Sequence, residues 1–187
     1  MKEVEMKNLN GVNVEQLIGT IEAVKGNADI ALFKFRSSTD WIKGGHCKTE
    51  IKDFYGATQE DTSREKPFVM EGDEPAVLLG EDHGPNAVEA VLHALASCLS
   101  VGFVYNASAM GIEIYSLNFS LEGDIDLHGF LGLSDEIRPG YQNIKVKVKA
   151  ETNGSKEALE NLVAHVKKTS PVLDIITNPV SVSMEVA

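Results

Sequence analysis

Cys98 is the residue of this chain whose type and setting point most directly to chemistry. It lies in a mostly apolar, helix-favouring run that extends from Pro85 to Leu99. Thiolates attack electrophilic atoms such as peroxide oxygens, whereas a thiol packed among apolar groups stays inert. The second cysteine, Cys47, forms no Cys-x-x-Cys motif with it, so no disulfide framework is indicated. Cys98 is therefore either a reacting thiol or a packed one.

The predicted helix around Cys98 offers its sulfur no charged partner. The residues three and four positions away are all apolar: Ala94, Leu95, Val101 and Gly102. Glu89 and His93 lie about 180° and about 140° around an ideal helix from Cys98. The helix dipole fades within one turn of the N-terminus, so it does not reach the sulfur either. A cation that stabilises a Cys98 thiolate must come from another segment or subunit.

Other kinds of site find little support in the sequence. The five histidines show no metal-ligand spacing and the glycine pairs lack a phosphate-loop context, so we expect neither metal nor cofactor. The formal net charge of -11 argues against nucleic-acid binding. No run of 18 apolar residues occurs and residues 1–7 are polar, so we expect a cytoplasmic protein without a membrane-spanning segment.

The elements that must position these residues follow from hydrophobic periodicity. Helical spacing predicts helices over residues 11–25, 86–109 and 155–168, and a short helix begins at Ser170. In the long central helix, Asn86 and Glu89 form a capping-box pattern, and Gly111 follows the end. Alternation of apolar residues predicts strands over six segments, namely residues 29–37, 46–54, 66–71, 112–123, 144–150 and 180–186. This segregated order predicts an α+β fold.

The central helix is apolar around its whole circumference between residues 88 and 105. A helix of this kind must be covered on every side, and a single sheet covers only one. A second copy of the chain is the simplest cover for the other side, so we expect a homodimer.

Three blocks of the sequence carry motifs of a known family. The first is Gly84–Glu89 followed by Ala94–Cys98 on the central helix. The second comprises Glu122–Asp126, Gly129–Leu133 and Arg138–Tyr141, and the third comprises Ser170–Val172 and Asn178–Val180. Together they resemble the OsmC/Ohr family, which includes osmotically inducible protein C and the organic hydroperoxide resistance proteins. The resemblance implies a single OsmC-like α+β domain over residues 29–187, preceded by an N-terminal helical extension over residues 1–28. It also implies antiparallel sheets around long central helices in an intertwined homodimer with reactive sites at the subunit interface.

The same resemblance implies thiol peroxidase chemistry and assigns residues to it. Well-studied members reduce organic hydroperoxides with a peroxidatic cysteine on the central helix and a resolving cysteine in the C-terminal block. An arginine and a glutamate accompany the thiolate. Cys98 matches the peroxidatic position, whereas the resolving position holds Ser170, which cannot form a disulfide. Glu89 lies one residue beyond the position of the family glutamate, and Arg36 is the best candidate for the arginine.

Each of these assignments has a plainer alternative. Glu89 also fits the role of a capping acid, and Arg36 also fits that of a surface charge at a strand end. Arg64, in a polar loop, is a second basic candidate because it could fold over a site. Cys47 is either a thiol that resolves a Cys98 sulfenic acid or a packed strand residue.

Two functions follow as hypotheses. The first is a cysteine-dependent organic hydroperoxide reductase of reduced competence, in which Cys98 attacks the peroxide and an external thiol replaces the missing resolving cysteine. The second is a non-catalytic OsmC-like dimer that binds a small apolar ligand at the subunit interface.

Overall fold

The computed structural model describes residues 8–186, which form two compact units. One unit is Ile18–Val91, and the other joins the residues up to Leu17 with those from Leu92 onwards. Residues 1–7 of the predicted extension lie outside the described part of the chain. The proposed division into an extension over 1–28 and a domain over 29–187 stays a prediction.

The unit Ile18–Val91 is built from short antiparallel strands. Helix α1, Val14–Gly26, leads into it. Its three-stranded sheet has the order β1-β2-β5, with bounds β1 Ser38–Lys43, β2 His46–Ile51 and β5 Phe68–Gly72. A separate hairpin consists of β3, Phe54–Gly56, and β4, Gln59–Asp61. The turn of this hairpin places Ala57 and Thr58 at φ values of 49° and 70°. Sequence patterns missed the hairpin because Ala-Thr lacks the Asn-Gly signal of such turns.

The other unit holds the central helix and the core. Its elements are α2 Ala87–Ala109, β6 Ile114–Asp124, α3 Leu127–Phe130, β7 Asn143–Thr152, α4 Lys156–Thr169 and α5 Pro171–Thr177. Strands β6 and β7 pair antiparallel over their whole length. The core consists of one α2 stripe with four-residue spacing, its neighbours on α4 and one residue that follows α2, namely Leu95, Leu99, Phe103, Ala107, Leu162, Val166 and Ile112. The predicted α+β class and long central helix are confirmed.

Two strand predictions were wrong. Over residues 29–37 the chain forms a 3-10 turn at Ala28–Ala31 and then an extended segment with only an isolated bridge at Lys34. The alternating Phe33 and Phe35 instead stack with Phe54, with ring centroids 5.6–6.2 Å apart. Residues 180–186 form no strand, although their apolar residues alternate. They are exposed and find no strand partner among the described residues, and an extended segment needs one to bond its backbone.

Helix α2 carries apolar residues outside its buried stripe. Val101 and Tyr105 lie on a second apolar face that is about half exposed in the single chain. Within residues 8–186, α2 is also the one helix long and apolar enough to cross a membrane, although it contains no uninterrupted run of 18 apolar residues. The core helix of a soluble protein meets the same criteria, and the burial of Leu95, Phe103 and Ala107 is consistent with that role.

Candidate functional site

Cys98 lies on α2 beside the buried stripe, and its side chain is only partly buried. Helix α4 passes close to α2 one turn later, since a Cβ added to Gly102 would lie 3.4 Å from Val166 Cγ1. This approach brings the end of α4 to Cys98. The Sγ atom of Cys98 lies 3.1 Å from the Oγ atom of Ser170. Within the described residues this is the one side-chain hydrogen bond that Cys98 makes.

The local sequence explains why Ser170 stands at this point. Ser170 ends α4 and begins α5, with Pro171 at the first helical position. Its Oγ accepts a hydrogen bond from the backbone N–H of Leu173 at 3.2 Å, as the N-cap of a helix does. Ser170 is buried, with 6% of its surface exposed. The cap therefore holds the hydroxyl in one position and aims it at the sulfur.

The arrangement allows Ser170 to donate a hydrogen bond to Cys98. Ser170 Oγ accepts the Leu173 N–H with one lone pair, so its own proton is available to an ionised Sγ, and its second lone pair can accept from a neutral thiol. A thiolate can only accept, and a hydrogen bond to an ionised acceptor is stronger than one between neutral groups. The pair can therefore stabilise a reactive sulfur, but serine cannot close a disulfide with it.

Glu89 lies at the start of α2 and acts there as a capping residue. Its carboxylate accepts the N–H of Asn86 at 2.9 Å, while Asn86 Oδ1 accepts the N–H of Glu89 at 2.9 Å. This is the reciprocal capping box that the sequence predicts. The catalytic role of Glu89 stays a prediction.

Arg36 lies in the extended segment before β1 and is engaged by Glu60. Its two terminal nitrogens donate to the two oxygens of Glu60, each at 2.8 Å. This bidentate contact raises the pKa of Arg36 and lowers that of Glu60, both mainly through the hydrogen bonds between them. Arg36 and Cys98 belong to different units, so a role of Arg36 at the thiol also stays a prediction.

Arg64 is held by a carbonyl and two aromatic rings. It donates to the carbonyl oxygen of Lys52 at 2.6 Å, and its guanidinium carbon lies 5.1 Å from the ring centroids of both Phe54 and Phe68. Cation–π contacts on two rings restrain the side chain within its own unit. The structure thus shows a local anchor for Arg64, the alternative basic candidate.

Cys47 lies on β2 opposite Gly72 of β5 and is a free thiol. It lines a cavity of about 350 Å³ between the sheet and the residues that begin α2. The preceding residue, His46, hydrogen-bonds Glu71 and stacks on His83 with ring centroids 4.4 Å apart. Cys47 and Cys98 are both free thiols, and a resolving role of Cys47 stays a prediction.

A cluster around Asp73 was not anticipated from the sequence. Asp73 is 3% exposed and accepts hydrogen bonds from the N–H groups of Glu74, Glu81 and His83, and from Nδ1 of His83 at 2.8 Å. These bonds, the one from the His83 ring first, lower the pKa of Asp73, and the ring bond to Asp73 is the main cause that raises the pKa of His83. The loop reaches this shape through Leu79 and Asp82, whose φ values are 69° and 61°. No sequence motif indicates this cluster, because the groups that donate to Asp73 are brought together only by the conformation of the loop.

Among residues 8–186, no group of three or more histidines, cysteines or acids is arranged to hold a metal ion. The rings of His46 and His83 lie nearly parallel and are stacked, so they do not converge on a common point.

Comparison with known proteins gives a consistent result. The family model described as OsmC-like protein matches residues 80–185. No curated protein matches the chain.

Among solved structures, an OsmC-like protein from Mycoplasma pneumoniae is 15% identical with a TM-score of 0.60, covering 78% of this chain and 89% of that one. An OsmC-like protein of unknown function from Vibrio cholerae is 11% identical with a TM-score of 0.57, covering 75% and 92%. An organic hydroperoxide resistance protein from Legionella pneumophila is 17% identical with a TM-score of 0.51, covering 78% and 90%. At such identities the likeness establishes the fold.

Proposed function

Because the chain belongs to the OsmC-like protein family, whose model matches more than half of it, we propose that it is a thiol-dependent organic hydroperoxide reductase of reduced competence. Cys98 is the attacking thiol in this proposal. The observation that carries it is the 3.1 Å contact between the Cys98 sulfur and the hydroxyl of Ser170.

The proposed reaction has two stages. The Cys98 thiol loses its proton to solvent, and the thiolate attacks one peroxide oxygen as the O–O bond breaks. The leaving alkoxide takes a proton from solvent, and the products are a sulfenic acid on Cys98 and an alcohol. An external thiol then attacks the sulfenic sulfur, which forms a mixed disulfide and releases water. A second external thiol reduces the mixed disulfide and restores Cys98. Peroxide is reduced, and two external thiols are oxidised to a disulfide.

Three properties of the Cys98 surroundings support the first stage. The side chain is partly exposed, so a peroxide can approach it. The Ser170 hydroxyl is held in place by its bond to Leu173 and can donate to the thiolate. The family resemblance also supports Cys98 as the peroxidatic cysteine. A resolving cysteine would stand where Ser170 does, and the substitution explains the need for an external thiol.

In the proposed reaction, Arg36 and Glu89 are the partners of the thiolate, as the family resemblance implies. In the single chain, Arg36 is held by Glu60 and Glu89 caps α2. Because the contact with Glu60 uses two of the five N–H groups of Arg36, the thiolate must be reached by the remaining N–H groups or after release of Glu60. Because each partner has a competing contact, we expect slower turnover than a preorganised site would give.

We also propose that the working form is a homodimer, in the cytoplasm, where thiol reductants keep cysteines reduced. The exposed apolar face of α2 that includes Val101 and Tyr105 supports a second copy as its cover. Sedimentation should show a species of twice 20.3 kDa. Val101→Glu, which puts a charge on that face, should yield the monomer, and a stable wild-type monomer would exclude the dimer.

The peroxidase proposal is tested by turnover with dithiothreitol as external thiol and cumene hydroperoxide as substrate. Wild type and Cys47→Ser should both consume peroxide, and Cys98→Ser should not. Equal consumption by Cys98→Ser would overturn the proposal. Loss of activity in Cys47→Ser alone would transfer the chemistry to the other thiol. Absence of turnover in wild type would favour the alternative function, an OsmC-like dimer that binds an apolar ligand at the subunit interface.

A further inference from the structure

A second cavity lies entirely within the unit that holds Cys98, and neither Cys98 nor Ser170 lines it. It has a volume of about 280 Å³ and lies among α2, α4, α5 and the β6–β7 pair. Nine of its ten lining residues are aliphatic or aromatic, and the tenth is Lys167. We call it the Lys167 cavity. Pockets for small molecules are typically concave and apolar, with few polar groups that orient the ligand.

The Lys167 cavity reaches into the core. Its lining includes Leu99, Phe103 and Val166, which are at most 7% exposed. Phe119 and Val148, directly opposite each other on β6 and β7, add apolar surface from the strand pair. For comparison, an engineered cavity of about 150 Å³ with a similar lining accepts benzene. The depth and size suit an apolar chain.

Lys167 gives the cavity its one charge. It lies in the last turn of α4, is exposed, and forms no ion pair with the residues that the structure describes. At the other end of α4, by contrast, Lys156 pairs with Glu160. The chain as a whole carries a net charge of -11, which repels free anions. A small anion without an apolar part therefore gains too little here to bind.

From this combination we propose that the Lys167 cavity binds a single aliphatic chain that ends in a carboxylate, with the chain in the cavity and the carboxylate at Lys167. The site does not depend on the thiol chemistry of Cys98. Its ligand class follows from the apolar lining and the lone cation at its edge.

Calorimetry with hexanoate, octanoate, decanoate and octanol tests the proposal on the intact protein. Each added methylene buries further apolar surface and should tighten binding about fourfold until the cavity is full. Octanoate should bind more tightly than octanol. Lys167→Met keeps the stem but removes the charge, so it should abolish that preference. The matched control Lys168→Met, on a neighbouring residue that does not line the cavity, should preserve it.

Two further variants separate this site from the others. Cys98→Ser should bind octanoate as wild type does, even if peroxidase activity is absent. Val163→Phe, which fills the cavity, should weaken octanoate binding at least tenfold. Equal binding of octanoate and octanol to wild type, or equal losses in Lys167→Met and Lys168→Met, would overturn the proposal. Absence of octanoate binding to the assembled wild-type dimer would also overturn it.

Discussion

The hydroxyl of Ser170 lies 3.1 Å from the sulfur of Cys98, although the two residues are 72 positions apart in the chain. The contact exists because α4 ends where it passes α2 and Ser170 is needed there to cap α5. One side chain therefore serves both the start of a helix and the candidate reactive sulfur. A change at Ser170 should therefore affect both the stability of the fold and the reactivity of Cys98.

Ser170→Cys should restore a resolving thiol. Cysteine has nearly the shape of serine, so its sulfur should lie within bonding reach of Cys98 once hydroperoxide has oxidised either thiol. We expect a disulfide between positions 98 and 170 after one equivalent of hydroperoxide, detected as a cross-linked peptide pair by mass spectrometry. Ser155→Cys, at the N-cap of α4, is the control and should form no disulfide with Cys98. An unlinked Cys98 in the first variant would show that the contact is not maintained in solution.

Ser170→Ala should affect both stability and reactivity. Loss of the N-cap bond should cost about 1 kcal/mol in the free energy of unfolding. Loss of the donor to the thiolate should slow oxidation of Cys98 roughly tenfold, as expected for a hydrogen bond to a charged group. Ser155→Ala removes the equivalent cap of α4 and should cost similar stability, measured by urea unfolding, without slowing oxidation. If both variants oxidise at the wild-type rate, Ser170 is only a cap.

Arg36→Met should slow the reaction of Cys98 with hydroperoxide roughly tenfold if Arg36 serves the thiolate. Glu60→Gln weakens the contact that occupies Arg36 and should leave the rate unchanged or raise it. Stopped-flow measurement of both variants distinguishes the proposed role from a surface ion pair. An unchanged rate in Arg36→Met would remove Arg36 from the site and leave Arg64 as the candidate to examine.

The Asp73–His83 contact should make stability depend on pH. The pKa of His83 is raised mainly by the Asp73 hydrogen bond, so its contribution is fully present below about pH 6.5 and is lost as pH rises through the folded-state value. The pKa of Asp73 is lowered, so its contribution is present above about pH 3.9 and is lost at more acid pH. Glu81 and Glu71 also favour the charged ring.

Urea unfolding of wild type between pH 4 and pH 9 should therefore show a decline above about pH 6.5. His83→Asn should flatten that decline, because the titrating ring is gone. His128→Asn is the control, since that ring is exposed and bonds Asp126 within its own turn. A decline that persists unchanged in His83→Asn would assign it to another group.

The sequence predicted best what short-range chemistry determines. The capping box of Asn86 and Glu89 is formed by residues three positions apart, and Gly111 closes α2 through its φ of 71°. The alternation of apolar residues around Phe33 and Phe35 wrongly predicted a strand. The two rings instead pack in an aromatic cluster with Phe54.

Long-range relationships required the structure. Nothing near Cys98 in the sequence indicates Ser170, and only the family resemblance assigned the two positions to one reaction. The loop that donates hydrogen bonds to the carboxylate of Asp73 contains two residues with left-handed backbone conformation, Leu79 and Asp82, and neither is glycine. The sequence does not predict such a loop, because residues other than glycine favour negative φ values at these positions.

The central claim is that the Cys98 sulfur attacks the peroxide bond. The most direct measurement uses Cys47→Ser protein, in which Cys98 is the one remaining thiol, treated with cumene hydroperoxide in the presence of dimedone and analysed by peptide mass spectrometry. We predict a dimedone adduct on the peptide that contains Cys98, dependent on hydroperoxide. An unmodified Cys98 under these conditions would contradict the account and identify the thiol as a packed residue of α2.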